Sequence, residues 1–134
     1  MVRLVAWTEI FAVFIVSHLV GDFLFQTNWQ AENKAGGLGA DPIRRRALLS
    51  HITTYGIAFV PAFIVLATDI GAWAAAVAAA VVVPHLVQDD GRLIGSYMRV
   101  AKHTPAAPAD FVTIAVDQSF HVVALFAIAL VAAA

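Results

Sequence analysis

Seven side chains in this sequence are of types that hold metal ions, and their spacing is regular. His18 and Asp22, His85 and Asp89, and Asp117 and His121 are each four positions apart, and His51 stands alone. At 3.6 residues per turn, positions i and i+4 share a helix face. Imidazole nitrogen with carboxylate oxygen is a donor mixture that zinc takes readily and that manganese or iron also accept. The spacing predicts one polar layer of these seven residues, with zinc as the first expected cation. Beside neutral histidines the three carboxylates would carry three buried negative charges, which one or two divalent cations would offset. Gln26 continues the His18–Asp22 stripe and Gln118 adjoins Asp117, so either amide could orient a ligand by hydrogen bonding.

The elements that position this layer are read from the composition. Of 134 residues, 61% are hydrophobic and 13% charged, and the mean hydropathy is +0.84. Soluble domains run about 45–50% apolar and about 25% charged. A chain this short has too little interior to hide so much apolar surface in water, and lipid is the simpler solvent for it. The expected architecture is all-α: a single domain, 1–134, of four transmembrane helices at about 4–26, 47–67, 72–89 and 111–133, each near the ~20 residues a span needs. The first hydrophobic run carries Glu9 early and no small-residue cleavage site follows, so it reads as a retained span rather than a signal peptide.

The loops set the topology. Residues 27–46 and 91–110 hold every Lys and Arg except Arg3, including the triplet Arg44–Arg45–Arg46. By the positive-inside rule both are cytoplasmic and both termini lie outside. Topology and lipid-phosphate contact account for the triplet, and a net charge of −1 speaks against nucleic acid. Thr68–Gly71 reads as a tight turn, and Leu93, Ile94, Tyr97 and Met98 recur at the spacing of a short interfacial helix. Trp7 and Trp73 fall at one membrane face and Trp29 at the other. Pro61 is expected to kink the second span, and Pro84, one residue before His85, to remove a backbone hydrogen bond where the polar layer begins. Asp90 reads as a solvated helix end. There is no cysteine, hence no disulfide or thiolate chemistry.

With this topology the chain direction alternates, yet the polar residues always fall in the cytoplasmic half. Asp22, for example, lies about four residues, or about 6 Å, inside its span. An ionisable group inside the bilayer costs about 2.5–3.5 kcal/mol on the insertion scale, so these groups should face the bundle interior and be paired. One His–Asp pair alone reads as an ion pair that holds helices together. Three pairs and a fourth histidine in one layer favour a metal site, with a divalent-cation or proton pathway and a haem held by two histidines as alternatives. The outer halves of the spans are almost wholly apolar, which argues against a complete pathway unless a homo-oligomer builds one. Ser17, Ser50 and Ser119 read as packing or backbone-bonding residues rather than nucleophiles.

The run Ser17-His18-Leu19-Val20-Gly21-Asp22-Phe23-Leu24-Phe25-Gln26-Thr27-Asn28-Trp29, followed by Asn33-Lys34, resembles the opening of the bacterial membrane family named domain of unknown function 3307. Leu49-Ser50-His51, His85 with Asp89, and Asp117-Gln118-Ser119-Phe120-His121 fit it too, so the resemblance covers nearly the whole chain. It implies a polytopic protein of the bacterial inner membrane and no particular activity. In pattern alone the chain is also similar to inner-membrane metal-dependent hydrolases. The function expected is metal-assisted hydrolysis of a lipid or lipid-linked substrate from the cytoplasmic leaflet, with a non-ligand carboxylate as general base.

Overall fold

A computed structural model describes residues 6–134, and all regular structure among them is helical. The expected start of the first span at Leu4, and Arg3 before it, lie outside the described residues. Helix α1 spans Trp7–Leu19 and continues without a break as a π-helical segment, Val20–Phe25. A short α2 follows at Asn28–Asn33, then α3 (Pro42–Ile70), α4 (Trp73–Asp89), α5 (Arg92–Ala101) and α6 (Phe111–Ala132). Helices α1, α3, α4 and α6 form a ring in which α1 packs on α3 and α6, and α4 packs on the same two. The centre of that ring is where all four apolar stripes meet.

Three of the helical stretches, Trp7–Phe25, Pro42–Ile70 and Phe111–Ala132, are long and apolar enough to cross a membrane. The fourth expected span is α4, apolar but only 17 residues, or about 25 Å at 1.5 Å per residue. Pro61 and Pro84 both sit inside helices that run on through them.

Several local expectations need correction. The second span is longer than 47–67, because Asp41 caps α3 by accepting from the backbone N–H groups of Ile43 (2.8 Å) and Arg44 (3.2 Å), and Pro42 opens it with its φ already set. Arg44, Arg45 and Arg46 therefore stand on the first turns of a helix and not in a loop. At the other end α3 continues through Thr68, Asp69 and Ile70, so the expected four-residue turn shrinks to Gly71 and Ala72. The region 27–46 also holds α2, whose N-terminus is closed by a reciprocal box between Thr27 and Gln30. Asp90 is buried rather than solvated: it accepts at 2.7 Å from the Leu38 N–H through its side chain and at 2.8 Å from Gly36 N–H through its carbonyl.

The half of the bundle nearer the termini is filled by Ile10, Phe14, Phe59, Ala62, Leu66, Val81, Leu125 and Ala129. Phe14 packs against Phe59 at 5.7 Å between ring centroids, and Phe59 against Tyr55 at 4.8 Å. At the other, basic end α5 lays Ile94 and Met98 inward, while Leu93 and Tyr97, expected on the same apolar face, stand exposed with Val100. Two glycines permit close backbone approach there. A Cβ on Gly37 would meet Leu48 Cβ at 2.5 Å and the Arg44 carbonyl at 2.7 Å, so the loop after α2 lies directly on α3. A Cβ on Gly21 would lie 2.6 Å from Tyr55 Cδ2 and 3.3 Å from Tyr55 Cα, so the π-helical segment and α3 touch at that point. Gly56, one residue further on, has nothing within 4 Å.

Gly21→Ala is therefore expected to destabilise the protein by about 1–3 kcal/mol through overpacking against Tyr55. Gly56→Ala should be neutral or stabilising, by up to about 1 kcal/mol, because alanine is the better helix former. Thermal unfolding of the two variants in detergent compares them, and equal midpoints would refute the close contact at Gly21.

Candidate metal centre

Four donor atoms converge at the centre of the ring, just on the basic side of the aromatic core. Helix α4 supplies two, because His85 and Asp89 are one turn apart on its inward face. Helix α3 supplies His51, and the π-helical segment supplies Asp22. His51 Nε2 lies 3.2 Å from His85 Nε2, 3.2 Å from Asp22 Oδ1 and 2.8 Å from Asp89 Oδ2. His85 Nε2 lies 3.3 Å from Asp22 Oδ1 and 3.1 Å from Asp89 Oδ2. Donors bonded tetrahedrally at about 2.0–2.1 Å stand about 3.3 Å apart, so five of the six edges among these four atoms are close to those of a zinc tetrahedron. All four residues are buried, His51 completely.

Hydrogen bonding alone does not satisfy this group. Carboxylate oxygens only accept, and each Nε2 carries at most one proton. If both imidazoles were protonated at Nε2, the two N–H groups would face each other. If one were, its single proton would serve the other ring or one carboxylate and leave the remaining acceptors facing one another. If neither were, two lone pairs would face two carboxylates. Asp22 Oδ1, Asp89 Oδ2 and the Nδ1 atoms of His51 and His85 are buried without a hydrogen-bond partner. A divalent cation between the four atoms satisfies both carboxylates and both Nε2 lone pairs together, so the residues fit a metal ion of the imidazole–carboxylate class.

Around this core the remaining expected residues divide. Asp117 and His121 join Asp89 in a second group of potential ligands. His121 Nδ1 donates to the Asp117 carbonyl at 2.8 Å, which leaves the Nε2 lone pair of the neutral ring pointing inward, 3.6 Å from Asp89 Oδ1. His18 is engaged differently. Its Nε2 lies 2.9 Å from the Gln118 side-chain oxygen and its Nδ1 3.1 Å from the Tyr55 hydroxyl. A neutral ring protonated at Nε2 donates to Gln118 and accepts from Tyr55, so both nitrogens are taken up. His18 thus spans α1, α3 and α6, and its Nε2 also lies 3.7 Å from Asp22 Oδ2, the approach that the i,i+4 spacing predicts.

Gln118 donates to Asp22 Oδ2 at 3.2 Å and to Asp117 Oδ2 at 3.4 Å, bridging two carboxylates across the bundle. Gln26 donates to the Asp22 backbone carbonyl at 3.2 Å and accepts from Lys34 Nζ, so it positions the lysine rather than a ligand side chain. Ser50 and Ser119 bond backbone carbonyls of their own helices, at 3.0 and 2.6 Å.

Two residues of the site escaped the spacing argument. Lys34 Nζ lies 2.9 Å from Asp89 Oδ1, with the lysine side chain mostly buried. The lysine reaches this depth because α2 is tied to α3 through Gln30 and Ser50, and because Asp90 holds the following loop. Counted only as a loop charge, it was invisible, yet it stands in the motif of the first span. Tyr55 stacks on His85 with centroids 3.5 Å apart and planes within 9°. Its signal was available: it follows His51 by four residues.

The layer has one less enclosed side. The π-helical segment and α6 come no closer than 8 Å, Cα to Cα, and Gln118 crosses the gap to Asp22. Gln26, Lys34, Asp117 and Gln118 are only half-buried there. Phe23, Leu24 and Phe25 stand exposed on the same segment.

No curated protein and no solved structure matches this chain. A family model does, that of a protein of unknown function (DUF3307), over residues 10–134, which takes in all seven histidines and aspartates of the layer and Lys34. The chain belongs to that family.

Proposed function

We propose that this protein is a membrane-embedded metalloprotein that hydrolyses a lipid or lipid-linked substrate at the cytoplasmic leaflet of the bacterial inner membrane. One divalent cation, zinc first by its donors, is held among Asp22, His51, His85 and Asp89. The observation that carries this reading is the mutual spacing of four buried lone-pair atoms, 2.8–3.3 Å over the five measured edges. Charge supports it as well. The three carboxylates of the layer less the Lys34 ammonium leave two negative charges, the complement of one divalent cation.

Four protein donors close a tetrahedral site, so hydrolysis would need a further coordination position for water, whose pKa such a cation would lower while it polarises the scissile group. The chain supplies the rest. Asp117, outside the four-atom set and half-buried at the gap, accepts the proton as general base. Gln118 fixes the distance between Asp117 and Asp22 by donating to both. A polar headgroup would enter by the gap between the π-helical segment and α6, which Gln118 crosses, while Phe23, Leu24 and Phe25 leave its apolar tail in lipid. With α4 counted as the fourth span and the basic end facing the cytoplasm, the site lies at the depth of the inner leaflet.

A transport reading finds less support, since the apolar core from Ile10 to Ala129 fills the half of the bundle nearer the termini. A haem shared by His51 and His85 finds none, because their Nε2 atoms at 3.2 Å leave no room for a porphyrin between them.

Elemental analysis of the detergent-purified protein should find one equivalent of zinc, manganese or iron, lost in a folded His85→Ala/Asp89→Ala variant. A folded wild type that neither carries metal nor gains thermal stability from added divalent ions would sink the metal centre. Asp117→Asn should keep its metal while hydrolysis of lipid phosphates in mixed micelles falls by about 10²–10⁴. Undiminished hydrolysis in that variant would remove Asp117 from the role of base.

A further inference from the structure

The four-atom set uses only one oxygen of Asp89. The other, Oδ1, faces His121 Nε2 at 3.6 Å and Lys34 Nζ at 2.9 Å, and Asp117 completes the second ligand group around it. His121 is the telling member. Its Nδ1 donates to the Asp117 carbonyl, so the Nε2 of the neutral ring carries a lone pair, and that atom is buried without a partner. The side chain is 1% exposed. A lone pair and two carboxylates directed at one another need positive charge among them, and the ammonium of Lys34 is what provides it.

We propose that Asp89, Asp117 and His121 form a second divalent-metal position, bridged to the first through Asp89, and that Lys34 stands in for its cation. The wild-type centre is then mononuclear because a covalently attached ammonium already occupies the charge of the second site. The inference rests on the first site being a metal site, and it concerns how many ions the layer accepts.

The electrostatics favour this arrangement. With one divalent cation present, the ion and the Lys34 ammonium, which pairs with Asp89, together balance the three negative charges of Asp22, Asp89 and Asp117. A second divalent cation added to that layer would leave two uncompensated positive charges in a low-dielectric interior, where charges interact far more strongly than in water. Without the lysine charge, the excess is one, and a metal-bound hydroxide removes it. Lys34 is also held in place from three sides: Gln26 accepts from its ammonium, α2 is fastened to α3, and the loop beyond it is bonded to Asp90, the neighbour of Asp89.

Zinc titration of the metal-stripped, full-length protein in detergent, read by elemental analysis after removal of free metal, tests the proposal. The wild type should hold one equivalent. Lys34→Met should hold two, the second at least tenfold tighter than any second zinc on the wild type. Lys34→Met/His121→Ala should return to one. Lys34→Gln, which keeps a neutral donor for Asp89, replaces the methionine variant if that one does not fold. A single equivalent in the folded Lys34 variants, or two equally tight equivalents in the wild type, would overturn the inference while leaving the first site standing. A folded wild type that takes no zinc would overturn both.

Discussion

Asp89 is the residue on which the arrangement turns. A carboxylate that deep has no water to solvate it, and leaving such a charge unpaired costs several kcal/mol even after the surroundings relax. Both its oxygens are therefore surrounded. Oδ2 faces two imidazoles from α3 and α4 across the candidate metal position, and Oδ1 meets the ammonium of Lys34, with the lone pair of His121 Nε2 turned toward it at 3.6 Å. Those four partners come from α3, α4, α6 and the loop after α2, so a single side chain ties most of the basic end together. Its neighbour Asp90 reinforces this by gripping the backbone that carries Lys34.

The polar layer and the apolar core meet at Tyr55. Its ring continues the stack of Phe14 and Phe59 on one side and lies flat on His85 on the other, while its hydroxyl bonds His18. An amphipathic ring suits such a boundary, since it offers a large apolar face and one polar tip. Gly21 makes the boundary reachable by letting the π-helical segment approach α3 without a side chain between. Packing at this point and ligand placement are therefore one problem.

Much of this was legible in the sequence. Four-residue spacing brought His85 and Asp89 to one face, and alternating chain direction put residues of four helices at one depth. What escaped notice depended on atoms that periodicity does not describe. Lys34 follows a six-residue helix whose direction is set by the Thr27–Gln30 box and by Asp90, and no pattern of apolar residues reports such a return. Asp90 reads as a solvated end because the backbone N–H groups that bury it, those of Gly36 and Leu38, are far along the chain, and only Arg92 is a near neighbour. His18 keeps its i,i+4 approach to Asp22, at 3.7 Å, even though the chain leaves α-helical geometry at Val20, between the two, and its nearer partners, Tyr55 and Gln118, stand on other helices. Tyr55 alone was missed with its signal in plain view, at His51 plus four.

That departure at Val20 also bears on which changes in length the family can tolerate. A π-helical turn holds one residue more than an α-helical turn of similar rise, and such turns gather at functional sites. Shortening Val20–Phe25 by one would let the helix relax into ordinary α geometry and swing Asp22 around the axis by roughly 100°. The loop from Ala35 to Asp41 is different: it is fastened at Gly36, Leu38 and Gly39, and only Ala40 beyond them makes no hydrogen bond among the described residues before Asp41 caps α3. Insertions and deletions accumulated over evolutionary time should thus be found beyond Gly39 and be purged from the six residues that carry Asp22. The site has a fixed reading frame along α1, and the π-helical turn is where it is set.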